Sequence, residues 1–195
     1  MSATEFTSRK AIGTAAETAL RDMLVSWGAL VTCNQHNRDA TADRPGAAVA
    51  HRQFGTLHLP DLSILWPDRG ALRRYDAEVK TKSPLASGGG WGWDITAFDR
   101  AVAWSATSGD PVFYIIRDRS AAPLPPAGVL DDPDHWHTAS VWKLLHSPSR
   151  STIGKYHYWP KEEFVPLLIL LDGTVISTAT VPHVRMDGGQ PPLVL

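Results

Sequence analysis

Cysteine is almost missing from this chain: Cys33 stands alone among 195 residues. One thiol cannot form an intramolecular disulfide framework and is too few for a cysteine-rich zinc or iron-sulfur site, so a reducing, intracellular setting is expected. Long apolar runs are missing too. None approaches the roughly 18 residues that a membrane span needs, and residues 1–10 are polar, without the basic-then-apolar pattern of a secretory leader. A soluble, cytoplasmic protein is therefore expected. Nor is there an excess of basic residues: 19 Lys and Arg stand against 20 Asp and Glu, for a formal net charge of -1 and a pI near 6.7. That balance does not mark a non-specific polyanion binder, which leans on many cationic contacts. Any grip on nucleic acid must come from a local patch or from metal. Internal repeats and coiled-coil heptads are absent.

What the chain does have is apolar content, 43% of its residues, enough for one proper core and with no shift in composition that would divide it. One domain over 1–195 is expected, with a core at about 8–118 and a C-terminal extension at about 119–195. Ile12, Ala16, Leu20, Met23, Leu24 and Trp27 recur at helical spacing after the candidate N-caps Thr7 and Ser8, and Gly28 ends the run. Residues 29–33 suit a first strand, and the polar stretch 34–55 reads as a long excursion. A second strand runs over 61–66, closed by the turn-forming Pro67, Asp68, Arg69 and Gly70. A third spans 74–82. After the glycine-rich 87–90 and the flanking Trp91 and Trp93, a helix is predicted from Asp94 to about 107, with Ile95, Phe98 and Val102 on one face. A buried strand follows over 111–116. Beyond it, 121–134 reads as a connector, 136–145 as strand or helix, 156–159 as a strand, 161–171 as a short helix leading into an apolar strand, and 187–192 as an irregular tail.

The chemistry concentrates in the third strand, where Asp76, Glu78, Lys80 and Lys82 alternate with Tyr75, Ala77, Val79 and Thr81. Period-2 alternation is the mark of a half-buried strand. It places Glu78 and Lys80 on one face, roughly 6 to 7 Å apart along the strand. A Pro60-Asp61 pair opens the second strand just upstream. Two carboxylates, Asp61 and Glu78, suit a hard divalent cation, with the Lys80 ammonium beside it where water would attack a phosphodiester.

The element order helix, strand, strand, strand, helix, strand, with Glu17 in the first helix, Asp61 at the second strand and Glu78-Val79-Lys80 in the third, resembles the PD-(D/E)xK nuclease superfamily over about residues 10–117. The resemblance implies a restriction-endonuclease-like αβββαβ core, an α/β fold with a mixed central sheet flanked by helices. It also implies DNA phosphodiester hydrolysis with Mg²⁺ or Mn²⁺. By the same resemblance Asp61, Glu78 and the carbonyl of Val79 bind the metal, Glu17 supports a second metal or a metal-bound water, and Lys80 orients or helps deprotonate the attacking water. DNA is the implied partner, with RNA open and a homodimer compatible with cutting both strands of a duplex. Lys82, Arg74 and Arg73 are the candidate phosphate contacts.

Each residue also has a plainer reading. Asp61 after proline suits a turn, and Glu78 and Lys80 suit a solvated sheet face. Glu17 suits the polar flank of its helix, with Arg21 four residues on. Trp91 and Trp93 suit either core packing or a mobile loop that stacks on bases. His135 and His137, among Asp131, Asp132 and Asp134, offer a rival metal-hydrolase centre. A catalytically inactive binding or assembly module of the same fold is the remaining alternative.

Overall fold

The helical spacing near the N-terminus becomes α1 (Ala3–Ser26), which buries Ala16, Leu20, Met23 and Leu24 along one stripe. The structure, a computed structural model, describes residues 3–34, 48–51, 55–68, 71–85, 90–126 and 128–167. Helix α1 already runs at Ala3, so Thr7 and Ser8 lie inside it and neither caps it. Gly28, at φ 94°, turns the chain out of the helix in a conformation that a Cβ would disfavour.

Strand β1 (Leu30–Cys33) comes next, followed by a hairpin of β2 (Ala48–His51), inside the stretch 34–55 expected to be a loop, and β3 (Gly55–His58), which starts at the end of that stretch. Then β4 (Leu62–Asp68) and β5 (Ala71–Lys82) pair antiparallel, with Leu62 opposite Ala77. Pro67 and Asp68, expected in the turn, still belong to β4, while Arg69 and Gly70 lie outside the described residues. The chain continues through β6 (Trp91–Asp94) and α2 (Ile95–Ser108) into β7 (Val112–Asp118), which runs parallel to β5. Asp94 caps α2 by accepting from the Ala97 N–H, and Gly109 closes it at φ 76°.

The extension adds β8 (Trp136–Ser140), α3 (Val141–His146), β9 (Ser151–Ile153), β10 (Tyr156–Trp159) and the short β11 (Val165–Pro166). Residues 136–145 are thus strand and then helix, and Ser140 marks the switch by capping α3 through the Lys143 N–H. The expected helix at 161 is a single 3-10 turn over Lys161–Glu163. The apolar strand and the irregular tail expected beyond residue 167 fall outside the described residues, as do most of the excursion and the glycine run 87–89.

The main sheet has the order β1-β4-β5-β7-β8-β11, and its one parallel pair, β5 and β7, makes it mixed. A parallel pair needs a crossover, which α2 supplies. Setting aside the β2–β3 hairpin and β6, the order α1, β1, β4, β5, α2, β7 is the αβββαβ order expected from the sequence. Each face of the sheet carries its own core. On one face α1 packs with Leu62, Ile64, Tyr75, Ala77, Val79, Phe113 and Ile115. On the other, α2 and α3 pack with Val112, Tyr114, Ile116 and a tryptophan-rich group from β6 and β10.

This arrangement corrects one expectation. The even-numbered face of β5 is a second packed face rather than a solvent face, and Asp76 on it is fully buried. Period-2 alternation separates the two faces of a strand; whether both are covered depends on elements far along the chain.

Candidate active site

Asp61 is placed by the backbone around it. It precedes β4 by one residue, and the Leu62–Ala77 pairing brings it alongside the Glu78 end of the neighbouring strand. Its carbonyl accepts from the Asn34 N–H at 2.9 Å, while the Asn34 side-chain amide donates to the Pro60 carbonyl at 2.9 Å and to Ser63 Oγ at 3.0 Å. The mouth of β4 is therefore tied to the end of β1. The Asp61 carboxylate is 1% exposed and accepts the Val79 N–H through Oδ2 at 2.8 Å. A buried carboxylate needs such donors in place of the water it has lost. Asp61 forms the floor of the site.

Glu78 and Lys80 rise from β5 above that floor, on the face they share with Tyr114 and Ile116 of β7. The Lys80 ammonium donates to Asp61 Oδ2 at 3.0 Å, to Glu78 Oε1 at 2.6 Å and to the Val79 carbonyl at 3.0 Å. Three oxygens, two from β5 and one from the residue that leads into β4, thus converge on one cationic nitrogen. Burial pushes the Glu78 carboxyl above its ordinary range, and the nearby Asp61 charge adds to the rise, against the pull of Lys80. Lys80 is held above its ordinary range: burial works against its charge, and the two carboxylates outweigh that. In this arrangement Lys80 is a firmly protonated cation, suited to orienting and charge stabilisation and not to taking a proton.

Those oxygens also fit a metal. Two carboxylate oxygens and a backbone carbonyl are hard donors of the kind that Mg²⁺ and Mn²⁺ take, and here they already gather around a positive charge. A divalent ion would need the flexible Lys80 side chain, 35% exposed, to swing its ammonium aside.

Glu17 does not join this pair. Its helix packs on the Ala77 and Val79 face, opposite the side chains of Glu78 and Lys80, and its charge acts on the Cys33 thiol. Consistently, among the described residues no three His, Cys, Asp or Glu side chains gather as a metal-holding group. That also applies to the rival centre at His135 and His137. Asp131 there receives the buried Arg117 guanidinium at 2.5 Å and the Trp136 indole at 3.0 Å, while the His137 ring lies 4.8 Å from that of Trp91. The Arg117 and Trp136 contacts hold β7 and β8 to the connector between them.

The candidate phosphate contacts divide. Lys82 reaches the Gly92 carbonyl and lies 5.4 Å from the centre of the Tyr156 ring. Burial, helped by the Lys80 charge, lowers its pKa to about 8. Arg74 is drawn to Asp76 and Asp110, at 3.4 Å from each. Arg73 is exposed near the start of β5. Trp91 and Trp93 are each 1% exposed within β6, which corrects the mobile-loop reading: Trp93 stacks on Tyr114 with ring centres 4.0 Å apart and anchors the core.

Tyr114 was not apparent as a site residue from its sequence context. Its hydroxyl donates to the same Gly92 carbonyl at 2.9 Å, and burial pushes its phenol well above the ordinary range. Its apolar neighbours in β7 mark only a core strand, and no local signal distinguishes it.

No family model and no curated protein matches the chain. Among the solved structures similar to it are the following two. One is Hjc of Archaeoglobus fulgidus, a Holliday junction resolvase from an archaeal hyperthermophile, at 13% identity and a TM-score of 0.47 over 82% of this chain and 95% of that one. The other is a nuclease from a fusselovirus, at 12% identity and a TM-score of 0.46 over 91% of this chain and 98% of that one. Neither likeness bears on the role of any single residue.

Proposed function

We propose that the protein is a metal-dependent nuclease of the PD-(D/E)xK type that hydrolyses DNA phosphodiester bonds at the Asp61, Glu78 and Lys80 cluster. The observation that carries this reading is the convergence of Asp61 Oδ2, Glu78 Oε1 and the Val79 carbonyl on a single cation, the Lys80 ammonium. A surface pair of alternating charges would need no backbone carbonyl and no buried carboxylate beneath it.

Asp61, Glu78 and the Val79 carbonyl would hold Mg²⁺ or Mn²⁺, which when bound lowers the pKa of its water and neutralises phosphoryl charge. The chain's own groups do the rest. The Val79 N–H holds the Asp61 carboxylate in place on the floor at 2.8 Å. Glu78 must lose the proton that burial encourages it to keep. Lys80, with its ammonium moved off those oxygens, orients the attacking water and stabilises the charge that collects on the phosphoryl oxygens in the transition state.

The test is cleavage of plasmid DNA and linear duplex with Mg²⁺, with EDTA, and in Asp61→Ala and Lys80→Ala. Cleavage that needs the metal and drops at least about a hundredfold in both variants, with folding intact by circular dichroism, supports the reading. A folded wild type that cleaves neither DNA with Mg²⁺ nor with Mn²⁺ overturns it in favour of a binding or assembly module.

A further inference from the structure

The small sheet β6-β10-β9 carries two kinds of face. Cross-strand pairing sets Trp93 opposite His157 and Trp91 opposite Trp159, and these four side chains turn toward the α2 core, where Phe98 meets Trp93, His157 and Trp159. The alternate set must point away from that core: Gly92 opposite Tyr158 and Asp94 opposite Tyr156. On this outer face Tyr156 and Tyr158 are half-buried, with ring centres 6.1 Å apart. A Cβ on Gly92 would run into the Tyr158 ring, so the glycine lets that ring lie close on the strand. Two ammonium groups, Lys82 and Lys155, stand 5.4 and 5.6 Å from the Tyr156 ring centre.

This face adjoins the candidate active site. Lys82 follows Lys80 on the same side of β5 and reaches the Gly92 carbonyl, which Tyr114 also contacts. Tyr114 in turn feels the charges of Lys80, Glu78 and Asp61 together with Tyr156. A polynucleotide with one phosphate at Lys80 would have Lys82, and through it the Tyr156 ring with its two ammonium groups, as its next neighbours.

We propose that Tyr156 and Tyr158, with Lys82 and Lys155, form a subsite for an unpaired nucleotide next to the phosphate being cut: the rings stack on the base and the ammonium groups meet its backbone. The inference rests on the nuclease reading and extends it to a substrate class, DNA with a single-stranded segment beside the cut. Stacking needs the π-face of a base, which a paired and stacked duplex hides and a single strand offers. The rings belong to the C-terminal extension, so that extension completes the substrate site.

The test reads binding in EDTA, independently of cleavage. Full-length wild type, Tyr156→Leu, Tyr158→Leu and Tyr156→Phe are titrated by fluorescence anisotropy against a single-stranded oligonucleotide and its duplex, and quenching of 2-aminopurine in the single strand reports stacking. Wild type should favour the single strand and quench the probe. Each leucine variant should weaken single-strand binding by about fivefold to a hundredfold, with duplex binding changed less than about twofold, while Tyr156→Phe keeps the wild-type behaviour. Equal loss on both ligands, no loss in either leucine variant, or a wild type that binds only duplex would overturn the subsite. If the variants behave as expected and wild type still cuts nothing with Mg²⁺, it is the nuclease reading that fails.

Discussion

Lys80 on β5 and Asp61 at the mouth of the neighbouring β4, 19 residues apart, share a 3.0 Å hydrogen bond, and the lysine end is 35% exposed while the aspartate end is buried. A buried anion thus keeps its counter-charge at the surface, on a side chain long enough to leave. An ammonium and a divalent ion then compete for the same oxygens.

That competition has a measurable sign. Removing the ammonium in Lys80→Ala leaves two carboxylates without their shared partner, so the variant should be less stable than wild type in EDTA. It should also gain more from Mg²⁺, because a ligand that binds only the folded state stabilises it. Thermal melts with and without 10-fold steps in Mg²⁺ check this. A melting temperature that rises equally in both proteins would separate Lys80 from the metal oxygens.

Glu78 predicts a pH dependence. Its folded pKa lies above the unfolded 4.5 because burial disfavours the charged form, so between those two values the folded state holds the extra proton. Its contribution to stability is then favourable at low pH and is lost as pH rises through the folded value. Glu78→Gln, measured in EDTA, should therefore melt about 2–4 °C higher than wild type at pH 7, the change expected for about 1 kcal/mol in a chain of this size. The advantage should vanish near pH 4. A variant that is less stable at pH 7 would mean that the pairing with Lys80 outweighs burial.

Lys82 runs the other way. Its pKa falls to about 8 in the folded state from 10.5, so between those values the unfolded chain binds the extra proton and stability rises with pH. Relative to Lys82→Met, wild type should gain stability between pH 8 and pH 10 and show no change in that difference below pH 7. Urea unfolding at several pH values checks it, and a flat difference across the whole range would contradict the shift.

Much of this site could be read directly in the chain. The alternation from Tyr75 to Lys82 sets Glu78 and Lys80 on one side of a strand, and Pro60-Asp61 marks the mouth of the strand beside it. Other parts depend on contacts that lie far apart. Trp91–Asp94 is a strand only because Tyr156–Trp159 pairs with it some sixty residues later, and by itself the segment looks like a loop after a glycine run. The β2–β3 hairpin, four residues on each side, is too short for alternation to register. Glu17 has the right spacing on its helix, but spacing within a helix does not tell which face of the sheet that helix will cover.

Asp76 is the clearest case of a charge whose role only packing reveals. Fully buried, it receives Trp104 Nε1 at 2.6 Å and Ser63 Oγ at 2.7 Å, with Arg74 at 3.4 Å, and so joins α2 to β4 and β5 beneath the site. Asp76→Ala would leave buried donors unpaired and should cost roughly 2–4 kcal/mol. Chemical denaturation measures it, and a loss below about 0.5 kcal/mol would show that water replaces the carboxylate at little cost.

An anomalous difference map from crystals grown or soaked with Mn²⁺ shows whether a metal takes the oxygens that Lys80 holds. The expected result is a peak bound by Asp61, Glu78 and the Val79 carbonyl, with the Lys80 ammonium moved off those oxygens, and loss of that peak in Asp61→Asn. Mn²⁺-supported cleavage together with no peak among those three oxygens would contradict it.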